Sequence, residues 1–144
     1  MILELLLQML YCFGASFFYA LIMNAPKKTL IHSSVIASLG YLIYIVCVNN
    51  GNLKLGFLLG TAFITFLGEL YARKFKMPAT IFIFPGIIPI VPGLGLYETM
   101  YEFVQNDISA ALEVGVNTLV NIGAMAVAMA MVSLIVSKIK FNKN

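Results

Sequence analysis

Two stretches of this chain carry the polar groups best spaced to do chemistry. The first is Pro85-Gly86-Ile87-Ile88-Pro89-Ile90-Val91-Pro92-Gly93. A proline inside a helix removes a backbone donor and collides with the carbonyl four residues earlier, so this run cannot stay a regular α-helix. In hydrocarbon, the freed carbonyls must be satisfied by protein or by trapped water. Broken membrane helices of this type hold substrates and ions near the midplane through free carbonyls and half-helix ends. The competing reading is a proline kink packed against its neighbours with no ligand. The second stretch is Glu113, Asn117 and Asn121, spaced i, i+4, i+8 and so on one helical stripe. An asparagine amide both donates and accepts. It can complete carbonyls freed by the prolines, bind a polar solute, or act as glue between helices.

The remaining titratable groups are few. Glu69 and Arg73 stand i, i+4 in the order that favours an ion pair along a helix; a structural pair and a gate or proton-linked carboxylate are both open readings. His32, followed by Ser33 and Ser34, is read as an interface residue or a proton relay, and Glu113 is a further candidate for proton coupling. Cys12 and Cys47 have no metal-ligand spacing and read as small buried hydrophobes. One histidine and widely separated acids offer no catalytic dyad, metal site or cofactor site, so the expectation is no enzyme, no metal and no cofactor.

Composition fixes the solvent. Of 144 residues, 61% are hydrophobic and 10% charged, with a mean hydropathy of +0.96. Soluble domains are about 25% charged, and one of this size leaves roughly 30% of its unfolded surface in water. The lipid bilayer is therefore the main environment. This excludes a soluble enzyme and a nucleic-acid partner, despite the net charge of +3.

Crossing a core of about 30 Å takes about 20 helical residues. Charge-free runs predict an all-α integral membrane protein forming a single membrane domain over residues 1–144. About five transmembrane helices are expected near residues 3–24, 30–48, 55–72, 77–97 and 109–137, the fourth broken by prolines. Residues 98–108, the longest connection, can lie as a short amphipathic helix at the outer interface, with Met100, Tyr101, Phe103 and Val104 as its apolar contacts. With the N-terminus outside and the C-terminus cytoplasmic, Lys27, Lys28, Arg73, Lys74, Lys76, Lys138, Lys140 and Lys143 share the cytoplasmic side. Only Lys54 faces out, together with Glu4, Glu98, Glu102, Asp107 and Glu113. That asymmetry is the positive-inside pattern. On this count Asn121 lies at the depth of the proline break. Gly56 and Gly60 form a GxxxG pair that lets helix backbones approach.

Glu69-x-x-Ala72-Arg73, Pro78-Ala79-Thr80-x-Phe82, the Pro85 to Gly93 run and Tyr97 resemble the threonine/serine exporter family, specifically its small YjjB-type membrane subunit. That subunit corresponds to the C-terminal membrane half of full-length exporters. The resemblance implies a multi-pass protein of the bacterial inner membrane. It would be oligomeric, assembled with a larger five-span subunit that has a cytoplasmic region, and driven by the proton gradient. The implied cargo is a small polar solute, threonine or serine, or a dicarboxylate such as succinate. On this reading Pro85, Gly86, Pro89, Pro92, Gly93, Asn117 and Asn121 line the path. The alternative is a structural or regulatory subunit that stabilises a substrate-carrying partner.

Overall fold

The computed structural model describes residues 2–138, all helix and turn with no strand among them. The tail lysines Lys140 and Lys143 lie outside the described residues. Six helices follow in order: α1 (Ile2–Ile22), α2 (Lys27–Asn49), α3 (Leu53–Phe75), α4 (Thr80–Ile87), α5 (Gly93–Val104) and α6 (Ile108–Lys138). Four of them, α1, α2, α3 and α6, are long and apolar enough to cross a membrane. They match the charge-free runs because nothing else in the chain can hold about 20 residues without a charge or a proline.

Four turns end their helices with one device. Asn24, Gly51, Lys76 and Asn106 each adopt a positive φ, between 54 and 79°. The next residue then donates back five positions: Ala25 to Ala20, Asn52 to Cys47, Met77 to Ala72 and Asp107 to Glu102, at 2.9 to 3.1 Å. A left-handed residue followed by this bond is the Schellman stop. At the last of these turns Asp107 also opens α6. Its Oδ1 accepts from the Ala110 N–H at 3.0 Å and the Ser109 hydroxyl at 2.9 Å. Those bonds, the Ala110 N–H foremost, hold its carboxyl below the usual carboxylate range. A depressed folded value means the cap is fully engaged above about pH 4 and is lost as pH falls through that lowered value. Asp107→Ala is expected to speed amide hydrogen exchange at residues 108–111 and leave α3 unchanged.

α3 is the centre of the bundle and packs against α2, α4 and α6. Its Ile64, fully buried, sits between two glycines. A Cβ at Gly40 of α2 would fall inside the Ile64 side chain, and one at Gly86 of α4 would lie 2.6 Å from Ile64 Cγ2. The GxxxG pair faces α2: a Cβ at Gly56 would meet the Tyr44 carbonyl at 3.1 Å, and one at Gly60 the Gly40 carbonyl at 3.2 Å. Without a hydrophobic drive between helices in lipid, such close fit is what holds them together. Ile36, Phe57, Ile64, Phe82, Ile90 and Met125 form the core around this seam.

Helix direction follows from the long-range contacts. Ser38 of α2 donates to the Met9 carbonyl of α1, so these two are antiparallel, as are α2 and α3. α3 and α6 are parallel, because Glu69 meets Ser133 and Arg73 meets Val136. The segment from 76 to 107 must therefore carry the chain back along the bundle, and it does so in two pieces. α4 docks on α1, α2 and α3, whereas α5 docks on α6. Among the described residues, Lys27, Lys28, Arg73, Lys74, Lys76 and Lys138 gather at one end with Glu69, and Lys54 lies with Glu4, Glu98, Glu102, Asp107 and Glu113 at the other.

The fourth segment is broken at its prolines, as expected, into α4, an irregular stretch from Ile88 to Pro92, and α5; what changes is its end, which runs past Tyr97 to Val104. The supposed connection over 98–108 is therefore mostly α5, since Glu98 and Glu102 are one turn apart and no proline or glycine interrupts residues 96–104. The true turn is Gln105 to Asp107.

Candidate functional site

The break is built by subtraction. Pro85, Pro89 and Pro92 have no N–H, so the carbonyls of Ile81, Pro85 and Ile88 lose their usual i+4 donors. Within the break two donors converge instead on one carbonyl: Ile90 N–H and Val91 N–H both reach Ile87 O, at 2.8 and 3.1 Å. Gly86 is required by contact with Ile64, whereas nothing lies within 4 Å of a Cβ at Gly93. The two glycines flanking the break thus differ: one is a packing site and the other borders open space.

Clefts flank this segment on both sides. Pro85 lines one of about 180 Å³ with Thr80, Ile81, Phe84 and the α1–α2 turn, Met23 to Pro26, at the lysine-rich end. Pro89 lines another of about 300 Å³ with Gln8, Tyr11, Cys12, Ala15 and Tyr41, towards the acidic end. The buried Oε1 of Gln8 has no hydrogen-bond partner among the described residues. Pro85, in α4, and Pro89, in the irregular stretch after it, thus border two different clefts.

A third cleft, about 430 Å³, lies between the start of α3 and the polar stripe of α6. Gly51, Asn52, Leu53, Lys54, Leu55, Asn117 and Asn121 line it. Asn117 is exposed; Asn121 is 9% exposed and makes no hydrogen bond among the described residues. Glu113 is exposed and lies two turns beyond Asn121 towards the acidic end. The structure therefore joins Asn117 and Asn121 to each other and to the α2–α3 turn. α4 and α6 make no backbone contact, but the far end of the break reaches α6: a Cβ at Gly95 would lie 2.4 Å from Thr118 Oγ1, next to Asn117. The parallel register, with partners 64 residues apart, puts Asn121 beside Phe57, about 10 Å from the level of Ile64. Ile90 of the break packs against Gly60, so Asn121 lies about one helical turn from the level of that residue.

The remaining candidates sit at the lysine-rich end. Glu69 Oε1 accepts from Ser133 Oγ at 2.8 Å, and the Arg73 guanidinium donates to the Val136 carbonyl. Each member of the i, i+4 pair therefore ties α3 to α6. His32 packs against Tyr71 and Phe75, with ring centroids 5.3 and 4.8 Å away. Its Nδ1 lies 3.0 Å from the Lys28 carbonyl, which makes Nδ1 the protonated nitrogen. No group of three or more potential metal ligands forms among the described residues.

The threonine/serine exporter model, ThrE, matches residues 8–135, which take in most of α1 and α6, all of α2 and α3, and the whole break. The chain belongs to the threonine/serine exporter family. This is a transporter family, not an enzyme family, and with several apolar helices the chain is a multi-pass membrane protein. It is also similar to a protein of Haemophilus influenzae described as uncharacterized, with 29% identity over 104 residues. That match covers 72% of this chain but 35% of the relative, so the matched stretch spans about a third of that protein's length. No solved structure matches. Within the family frame, sequence reasoning missed Gln8, Tyr41 and Lys54. Gln8 was visible as the one amide in the first half of an otherwise apolar span; Tyr41 and Lys54 carry no signal without the fold.

Proposed function

We propose that this chain is a subunit of a secondary-active exporter that moves a small polar metabolite out of the cell. Threonine or serine is the first candidate cargo, and a dicarboxylate such as succinate the second. The observation that supports this reading is the proline break: Pro85, in α4, and Pro89, in the irregular stretch that follows, each border a different cleft. A short irregular barrier between two clefts is the arrangement that alternating access needs, and irregular main chain at membrane depth is tolerated only against protein or a wet cavity.

In this reading the chain crosses the bacterial inner membrane five times, with the lysine-rich end cytoplasmic and the N-terminus outside. Lys54, Asn117 and Asn121 then stand at the outer mouth of the path. The middle of the bundle carries Ser and Thr hydroxyls but no acid or base. A proton-driven carrier needs a titratable group along its route. A larger five-span partner with a cytoplasmic region is proposed to supply it, with Glu69 and His32 as the coupling candidates on this chain.

Export of labelled threonine and succinate from cells expressing this chain with and without its partner tests the proposal. Efflux of at least one solute should require both chains, and Asn117→Leu or Asn121→Leu should cut it about ten-fold or more at unchanged complex yield. Loss of efflux that merely tracks loss of complex would make this a scaffold subunit.

A further inference from the structure

We infer that the cleft between the start of α3 and the stripe of α6 holds a carboxylate of the solute, through Lys54, the first N–H groups of α3 and the Asn121 amide. It deepens the export reading and depends on that reading only for the origin of the solute. Three independent features converge on one anionic group.

The first is the uncapped start of a 23-residue helix. Asn52 occupies the N-cap without a side-chain capping bond; its amide turns instead to the Asn50 carbonyl at 3.3 Å. The first bond into the helix is Gly56 N–H to Asn52 O at 3.0 Å. The N–H groups of Leu53, Lys54 and Leu55 precede it and have no backbone partner among the described residues. Such groups, with the partial positive charge of the helix end, make a natural anion seat.

The second feature is Asn121. The residue is 9% exposed, its amide makes no hydrogen bond among the described residues, and it lines the same cleft as Leu53, Lys54 and Leu55. The third is Lys54. Among the described residues it is the one cation at an end that carries Glu4, Glu98, Glu102, Asp107 and Glu113, and it makes no ion pair there. A lone cation left unengaged amid acids, beside free N–H donors and an orphan amide, is arranged for an incoming anion. The cleft, at about 430 Å³, falls within the range of small-molecule sites.

The test uses the full chain in nanodiscs of phosphatidylcholine, titrated with labelled threonine, with succinate, and with threonine amide, which lacks the carboxylate. Threonine or succinate should bind and the amide should not. Lys54→Gln and Asn121→Leu should each weaken binding about ten-fold or more, Asn121→Asp should abolish it by placing a second carboxylate in the seat, and Lys54→Arg should retain it. Lys54 is exposed, so its variants test the site without endangering the fold. Absence of binding, equal binding of the amide, or indifference to both variants would overturn the inference. So would competition by phosphatidylglycerol alone, which would make the cleft a lipid-headgroup site. Binding that persists while cells show no partner-dependent efflux would instead remove the export reading and leave the carboxylate seat standing.

Discussion

Gly86→Leu and Gly40→Leu are each expected to abolish accumulation of folded protein. Ile64 is fully buried and held between glycines of two helices, so a new side chain on either has no room to enter. Overpacking by a single methylene costs about 1–3 kcal/mol; a leucine here forces α2 or α4 off α3 altogether, against a total stability of about 5–15 kcal/mol. The readout is the monodisperse fraction of detergent-solubilised protein after a heat challenge. Gly93→Ala is the control, since its Cβ meets nothing within 4 Å, and it should behave as wild type. Ile64→Ala combined with Gly86→Ala should recover part of what Gly86→Ala alone loses, the signature of two residues sharing one space. Gly86→Leu protein as heat-resistant as wild type would contradict the packing described around Ile64.

The second large effect is expected from straightening the break. Pro89→Ala with Pro92→Ala restores N–H donors to the carbonyls of Pro85 and Ile88 and frees the chain to wind helically from α4 into α5. A proline in a helix interior costs about 3 kcal/mol, so the double variant should be at least as heat-stable as wild type. Its export should nevertheless fall about ten-fold or more, because a regular helix replaces the irregular break that borders the clefts. Slower amide exchange at residues 88–91 would report the new helix directly. Unchanged export from a straightened helix would show that the prolines serve packing alone.

Much of the scaffold was legible in the residues. α1, α2, α3 and α6 end within a few residues of the charge-free runs because Lys27, Lys54, Arg73, Lys74 and Lys138 are too costly to bury and so mark the ends. The break was legible too, since no folding context gives proline an N–H. The run of α5 past Tyr97 was not. Counting charge-free length stopped the fourth segment at Tyr97, while Glu98 and Glu102 occupy one side of a half-helix that continues beyond them. The Asn121 cleft was equally hidden. Its other wall, Gly51 to Leu55, is more than sixty residues away in sequence, and the parallel register of α3 and α6 that joins them is a property of packing. The Glu69 and Arg73 spacing suggested a local pair, but both reach α6, because tying two parallel helices together satisfies a buried acceptor that an i, i+4 contact would leave unused.

That parallel pairing sets a timetable for biogenesis. Glu69 and its hydroxyl partner are 64 residues apart, so at about 5–20 residues per second the ribosome needs on the order of ten seconds to deliver one to the other. Throughout that interval the third helix is already threaded, with its carboxylate still waiting for Ser133. The nascent chain is then a substrate for insertases that shelter half-assembled bundles and for membrane proteases that remove them, and a translational stall before residue 133 should send it to the latter.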